Sequence, residues 1–268
     1  MNDSGEHPSN EGAFSALVGR FQQHAQPLTG RMNRTLRLLT LSAAVAVAAL
    51  AGAAHALACG TAGYSYAGIG APTRASGISA VVTSIGPFNV LNGHVAGWVG
   101  VGGPGEGPNG TDEWLQIGES GFPGLFSDIY YEVARPHRQP VYHQVQASPP
   151  LGTPVKVTVL ELHRRPDWWR VWLNGRAVSK PIWLPGSHER WSPIATAESW
   201  DGGTGGACND FLYSFRRVSI TAKPGGTWHR LVGGYPIDSA QTRVRRGGSA
   251  FLAAEGPTAF RSLLSLRP

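Results

Sequence analysis

Between Ala75 and Ala254 no segment keeps apolar residues at helical spacing. Short runs of alternating apolar and polar positions are cut instead by glycine, proline and asparagine. These runs predict strands at Ile78–Ile85, His94–Val101, Glu113–Gly118, Asp128–Ala134, Tyr142–Ala147, Val155–Leu162, Trp168–Leu173, Ala177–Leu184, Ile194–Trp200, Phe211–Thr221, Trp228–Val232 and around Ser249–Ala253. Asn174-Gly175, between two of them, predicts a two-residue hairpin turn. About a dozen short antiparallel strands, with no internal repeat, predict one all-β domain, a two-sheet antiparallel β-sandwich of jelly-roll, concanavalin-like shape. It spans 59–254, and 255–268 follow as a loose tail or a short helix.

The stretch ahead of the strands has a different character. Arg34 and Arg37 precede an apolar run from Leu38 to Gly52, and Ala54-His-Ala56 and Ala56-Leu-Ala58 lead to Cys59. A basic start, an apolar core and small residues at an A-x-A site predict a secretory signal peptide over 32–58, cleaved near Ala56 or Ala58. The run is short of the roughly 20 apolar residues that span a bilayer, so membrane contact is expected only through this segment. Residues 1–31 are polar and aperiodic, and read as an extension ahead of a start at Met32. The only two cysteines, Cys59 and Cys208, are too few for a cysteine metal site. They fit one disulfide in an oxidising exported compartment.

Charge narrows the partners. The chain has 23 Lys+Arg against 17 Asp+Glu, a net +6, but the basic residues are scattered apart from Arg164-Arg165, Arg216-Arg217 and Arg243-Val-Arg245-Arg246. No basic helix, zinc finger or RNA-binding signature accompanies them, so the charge reads as solubility or attraction to an acidic surface, without nucleic-acid binding. The glycine-rich Gly100–Gly110 lacks the Gly-Lys-Ser/Thr of a phosphate loop. His94, His137, His143 and His163 do not cluster in sequence, and no Gly-x-Ser-x-Gly elbow occurs. Neither metal nor cofactor is expected, and a monomer is. The tryptophans of Asp167-Trp-Trp-Arg-Val-Trp172 read as alternating sheet packing.

Two strands carry candidate chemistry. Alternation puts Trp114, Gln116 and Gly118 on one face, with Leu115 and Ile117 opposite. It likewise puts Thr196, Glu198 and Trp200 on one face, with Ala195, Ala197 and Ser199 opposite. A polar group beside tryptophan and small residues is costly to bury unless something binds it. This is the pattern of the ligand-facing, concave side of a curved sheet. A bland alternative makes Gln116 a capping group in a core layer. Another makes Glu198 beside Trp200 a carboxylate that binds sugar. Glu113 and Glu119 fall opposite Gln116, so that strand lacks the carboxylate pair of a glucanase.

Here the chain resembles the glutamic peptidases, the eqolisin family. Ala96-Gly-Trp98-Val-Gly-Val is similar to the family's Trp-x-Gly-Ile strand, and Leu115-Gln116-Ile-Gly118 to its Leu-Gln-x-Gly. Tyr130-Tyr131-Glu132 before Pro136 is similar to its Tyr-Glu-x-x-Pro, and Thr196-Ala-Glu198 to its Ala-Glu-Trp. The resemblance implies a β-sandwich with catalytic Gln116 and Glu198, which hydrolyses a peptide or protein substrate in acid without a metal. It also implies that Trp98, Trp114, Trp200 and Tyr131 contact the substrate. The chain departs from the pattern at Gly102, where the family has an acidic residue, and at Ser199, where it has its tryptophan. The alternative function is a non-catalytic, lectin-like module that binds cell-surface glycan.

Overall fold

The computed structural model describes residues 64–203 and 209–268. The expected extension, signal peptide and Cys59–Cys208 pair involve residues outside these.

Sixteen strands, one α-helix and two single-turn 3₁₀ helices (Pro108–Gly110 and Pro123–Leu125) are formed by the described residues. In chain order the strands and the α-helix are β1 (Tyr64–Gly70), β2 (Gly77–Ser84), β3 (His94–Gly103), β4 (Glu113–Phe122), β5 (Phe126–Ala134), β6 (Val141–Ala147), β7 (Val155–Glu161) and β8 (Trp168–Leu173). There follow β9 (Arg176–Ala177), β10 (Ile182–Trp183), β11 (Ile194–Trp200), β12 (Phe211–Thr221), β13 (His229–Arg230), β14 (Tyr235–Asp238), β15 (Thr242–Gly247), β16 (Ala250–Glu255) and α1 (Pro257–Ser265). One sheet runs β14-β1-β11-β3-β4-β5-β6 and the other β10-β8-β7-β2-β12-β16-β15, with β9 on β8 and β13 on β12. Every pairing is antiparallel, and the two sheets stack as the expected sandwich.

Alternation decides which side chains fill the space between the sheets. Val95, Val99, Val101, Leu115, Ile117, Ala195 and Ala197 of the first sheet meet Ile78, Val82, Val157, Val171, Phe211 and Phe215 of the second, all buried. Phe215 stacks on Phe251 with centroids 4.4 Å apart. Each such ring removed from water stabilises the fold by roughly 1.5–3 kcal/mol. On the other side of β12 and β16, Leu212, Leu252 and Ala254 pack under Ala259 and Leu263 of α1. Arg245 closes that helix by donating to the carbonyls of Leu263 and Leu264. The tail is therefore the short helix of the two forms expected.

The hairpin at Asn174-Gly175 forms, with both residues at positive φ (50° and 80°) as a type I′ turn requires. Alternation along β8 sends Trp169 into the core, while Trp168 and Trp172 face outward, half-buried beside the guanidinium groups of Arg165 and Arg170. Other expectations are corrected. The run Ala177–Leu184 breaks into β9 and β10, and Trp228–Val232 shrinks to His229–Arg230. β1, β14 and β15 were not expected at all. β1 is rich in small residues because its neighbour lies close: a Cβ on Gly68 would sit 2.4 Å from the carbonyl of Ala195. β14 and β15 are edge strands, one holding a proline and the other three arginines, which suits an unpaired edge.

Candidate active site

The register runs unbroken across β11, β3 and β4, and it fixes the site. On the face away from the core, Trp98 lies opposite Thr196 on one side and Gly118 on the other. Two residues along β3 in one direction, Ala96 lies opposite Glu198 and Ser120. Two residues in the other direction, Gly100 lies opposite Gln116. Glu198 and Gln116 thus share a face and flank Trp98 diagonally, with β3 between them. The small residues make room for the indole: a Cβ on Gly118 would come within 2.7 Å of Trp98 Cβ, and one on Gly100 within 3.1 Å of its ring.

The hydroxyl of Tyr66 on β1 has its pKa raised, first by burial and then by the charges of Glu198, Tyr64 and Glu132.

Glu198 is 4% exposed. Its Oε1 lies 3.5 Å from His94 Nε2, and its Oε2 is buried with no hydrogen-bond partner among the described residues. The indole N–H of Trp98 is likewise buried and unpartnered. Gln116, 7% exposed, donates from Nε2 to the hydroxyl of Tyr130 at 3.1 Å. The Tyr130 ring stacks on Tyr142, with centroids 4.8 Å apart and planes 9° from parallel. Burial, then the charges of Glu198 and Glu132, push the Tyr130 hydroxyl well above its ordinary pKa. Both members of the candidate pair therefore bear on one phenol.

The surrounding groups hold these in place. Asp128 accepts hydrogen bonds from Ser120, from Tyr142 (2.5 Å) and from Gln144 (3.0 Å), which fixes the Tyr142 ring under Tyr130. Trp114 donates from Nε1 to Glu132 at 2.9 Å. Beyond Glu198, four aromatic side chains cross the sheet in line: Tyr64, Trp200, His94 and Phe122, with successive centroids 6.1, 5.7 and 6.3 Å apart.

Of the residues expected in the site, Gln116, Glu198, Trp98 and Trp114 line this face and Trp200 stands in the aromatic wall. Tyr131 does not line it. It lies on the opposite face, packed against the core and stacked on His143 at 4.4 Å, because it alternates with Tyr130 along β5. The signal for Tyr130 is present in the sequence: Asp128, Tyr130 and Glu132 alternate with Ile129, Tyr131 and Val133. His94, first residue of β3, shares the parity of Ala96 and Trp98, but its meeting with Glu198 needs the strand register. The two departures from the family pattern also find their places. Gly102 has φ +76°, and a Cβ there would meet the carbonyl of Glu113 at 2.2 Å, so no acidic side chain fits. β11 has no bulge, so Trp200 stays on the Glu198 side.

The other carboxyls of β4 face the core. Glu119 Oε2 accepts the amide N–H of Ser84 at 3.3 Å, and burial pushes its pKa up to about 7. Burial pushes Glu113 up to about 8. Among the described residues, no group of three or more His, Asp or Glu side chains is placed to hold a metal ion.

No protein-family model matches the chain, and no curated protein does. Among solved structures it is similar to scytalido-glutamic peptidase with a transition-state analogue inhibitor, at 13% identity and a TM-score of 0.49. It is similar to the same peptidase with a peptide-based transition-state analogue, at 14% and 0.48. It is also similar to SCP-B, a member of the eqolisin family of peptidases, in complex with the tripeptide Ala-Ile-His, at 15% and 0.46. In each case 73% of this chain and 98% of the other are covered.

Proposed function

We propose that the protein is an exported, monomeric peptidase that hydrolyses peptide bonds in acid with Glu198 and Gln116. The observation that carries this reading is Glu198 itself. It is a buried carboxyl group with one oxygen near His94 and the other without a partner among the described residues, on a sheet face that also presents Gln116. In this mechanism Glu198 Oε2 takes a proton from water as the water oxygen attacks the peptide carbonyl. The carbonyl π pair moves onto its oxygen, and an amide hydrogen of Gln116 stabilises the charge that forms there. A primary amide has two N–H donors, and the hydrogen bond to Tyr130 uses one. Glu198 then returns its proton to the leaving nitrogen as the C–N bond breaks.

The core is compatible with acid. Burial pushes Glu113, Glu119 and Glu255 up to about 8, 7 and 7, so these three carboxyls carry no burial penalty in acid and destabilise the fold only as pH rises towards those values. The glycan alternative has no comparable observation. The outward tryptophans of β8 are half-buried and sit beside arginines, so they form no open stacking platform.

The test is hydrolysis of denatured casein from about pH 2 to 7 by the protein beginning at Cys59, beside Glu198→Gln and Gln116→Ala. Cleavage in acid that falls at least ~100-fold in both variants is expected. A well-folded protein that cleaves at no pH would retire the peptidase reading and make glycan binding the next question.

A further inference from the structure

We propose that Tyr130 is a further catalytic residue of this site, its phenol O–H donating a hydrogen bond to the oxygen of the peptide carbonyl under attack, with Gln116 holding the hydroxyl in place. The inference rests on the peptidase reading above and names a group that reading does not need.

Four observations converge on the phenol. First, position: β4 and β5 pair Gly118 with Tyr130, which puts Tyr130 in the same cross-strand row as Trp98 and Thr196, midway between the rows of Glu198 and Gln116. Second, hydrogen-bond direction: the hydroxyl accepts from Gln116 Nε2, so its own proton is not spent on Gln116, and no acceptor for it stands among the described residues. A buried donor left without an acceptor costs about 1–3 kcal/mol, which an incoming carbonyl oxygen would relieve. Third, rigidity: the ring is clamped between its stack on Tyr142 and its packing with Ala96 and Trp98, and Tyr142 is itself anchored on Asp128. Fourth, protonation: burial and the negative charges of Glu198 and Glu132 keep the phenol protonated through the whole acid range. A neutral donor fixed in a buried site needs no reorganisation when charge develops before it.

The step balances without any added reactant. Water's oxygen bonds to the carbonyl carbon while Glu198 receives a water proton. The π pair moves to the carbonyl oxygen, which accepts hydrogen bonds from Tyr130 Oη and Gln116 Nε2, and neither donor gives up its proton. On collapse the C–N bond breaks and the amine leaves with the proton held by Glu198.

Tyr130→Phe keeps the ring, the stack and the packing and removes only the hydroxyl. Steady-state cleavage of a casein-derived fluorogenic peptide in acid should show kcat lowered ~100-fold or more, with KM within about twofold of wild type. Binding of a peptide aldehyde, whose hydrate mimics the tetrahedral intermediate, should weaken at least ~10-fold, while a peptide of the same sequence ending in an amide binds as before. The aldehyde measurement is made in the Glu198→Gln background, where nothing is turned over. Circular dichroism and Tm confirm folding, and Tyr130→Leu, which fills much of the volume with no hydrogen-bond donor, gives the same comparison should the phenylalanine variant not fold. If wild type cleaves and Tyr130→Phe keeps kcat within about threefold, or changes only KM, the inference is overturned and the peptidase reading stands. If wild type does not cleave, both fall.

Discussion

Replacing Glu119 by glutamine should make the protein more stable at neutral pH and leave it unchanged in acid. Glu119 projects from β4 into the space between the sheets, and its Oε2 accepts the Ser84 amide at 3.3 Å. Burial lifts its pKa from 4.5 to about 7, against the opposing pull of that hydrogen bond. The sign follows from proton counting. Below pH 4.5 the folded and unfolded chains both carry the proton, and no penalty arises. Between pH 4.5 and 7 the unfolded chain releases it while the folded chain keeps it, so stability falls as pH rises. Above pH 7 the penalty is complete, at about 3 kcal/mol. Glutamine resembles the protonated acid and keeps a carbonyl for Ser84. The expected result is equal stability at pH 4 and a variant about 2–3 kcal/mol more stable at pH 8. The measurement is urea unfolding followed by tryptophan fluorescence, in the Glu198→Gln background so that no chain is cleaved during the experiment. Glu113 and Glu255 tilt the curves of both proteins equally and cancel in the difference. A difference that stays constant from pH 4 to 8 would refute the reasoning.

Two further outcomes are expected. Gly118→Ala forces a Cβ to 2.1 Å from the carbonyl of Gly97 and against Trp98. It should destabilise by about 1–3 kcal/mol and lower cleavage through the displaced indole, read by unfolding and activity together. Asn209 is buried; it accepts from the amide of Leu91 and donates to Asn92 O, Ser199 Oγ and Trp200 O, all within 3.1 Å. Asn209→Ala should strand these groups, cost about 2 kcal/mol and lower Tm by about 4–8 °C, measured by calorimetry.

Much of the sandwich is legible in alternation, because a two-faced strand must sort its side chains by solvent. Gln116 and Glu198 show themselves for the same reason, as polar positions on faces otherwise given to tryptophan and small residues. β1 escapes because two glycines dilute its signal, and both are there for want of room: a Cβ on Gly68 would meet the carbonyl of Ala195, and one on Gly70 the ring of Tyr235. β14 and β15 escape because edges favour the proline and arginine that usually argue against strands. Within the site, Tyr130 was open to the parity argument that found Gln116, but adjacent tyrosines make the wrong one equally visible. The meetings of His94 with Glu198, and of Ser120 and Tyr142 with Asp128, depend on register between strands, which single-strand periodicity does not contain.

The unbroken register of β11, β3 and β4 has a consequence for how such a site can change. A pleated lattice moves a side chain along its face only in steps of two residues, roughly 6.6 Å. A single insertion would turn the remainder of a strand inside out rather than nudge it. The separation of Glu198 and Gln116 is thus a quantised length. It cannot drift, so fine adjustment falls to side-chain size at positions such as Ala96 and Gly100. Coarser variation falls to the hairpin tip between β4 and β5, where Leu125 and Phe126 stand exposed at the end of the aromatic wall. A lineage of such proteins would be expected to vary in reach and appetite at its margins while the spacing at its centre stays fixed.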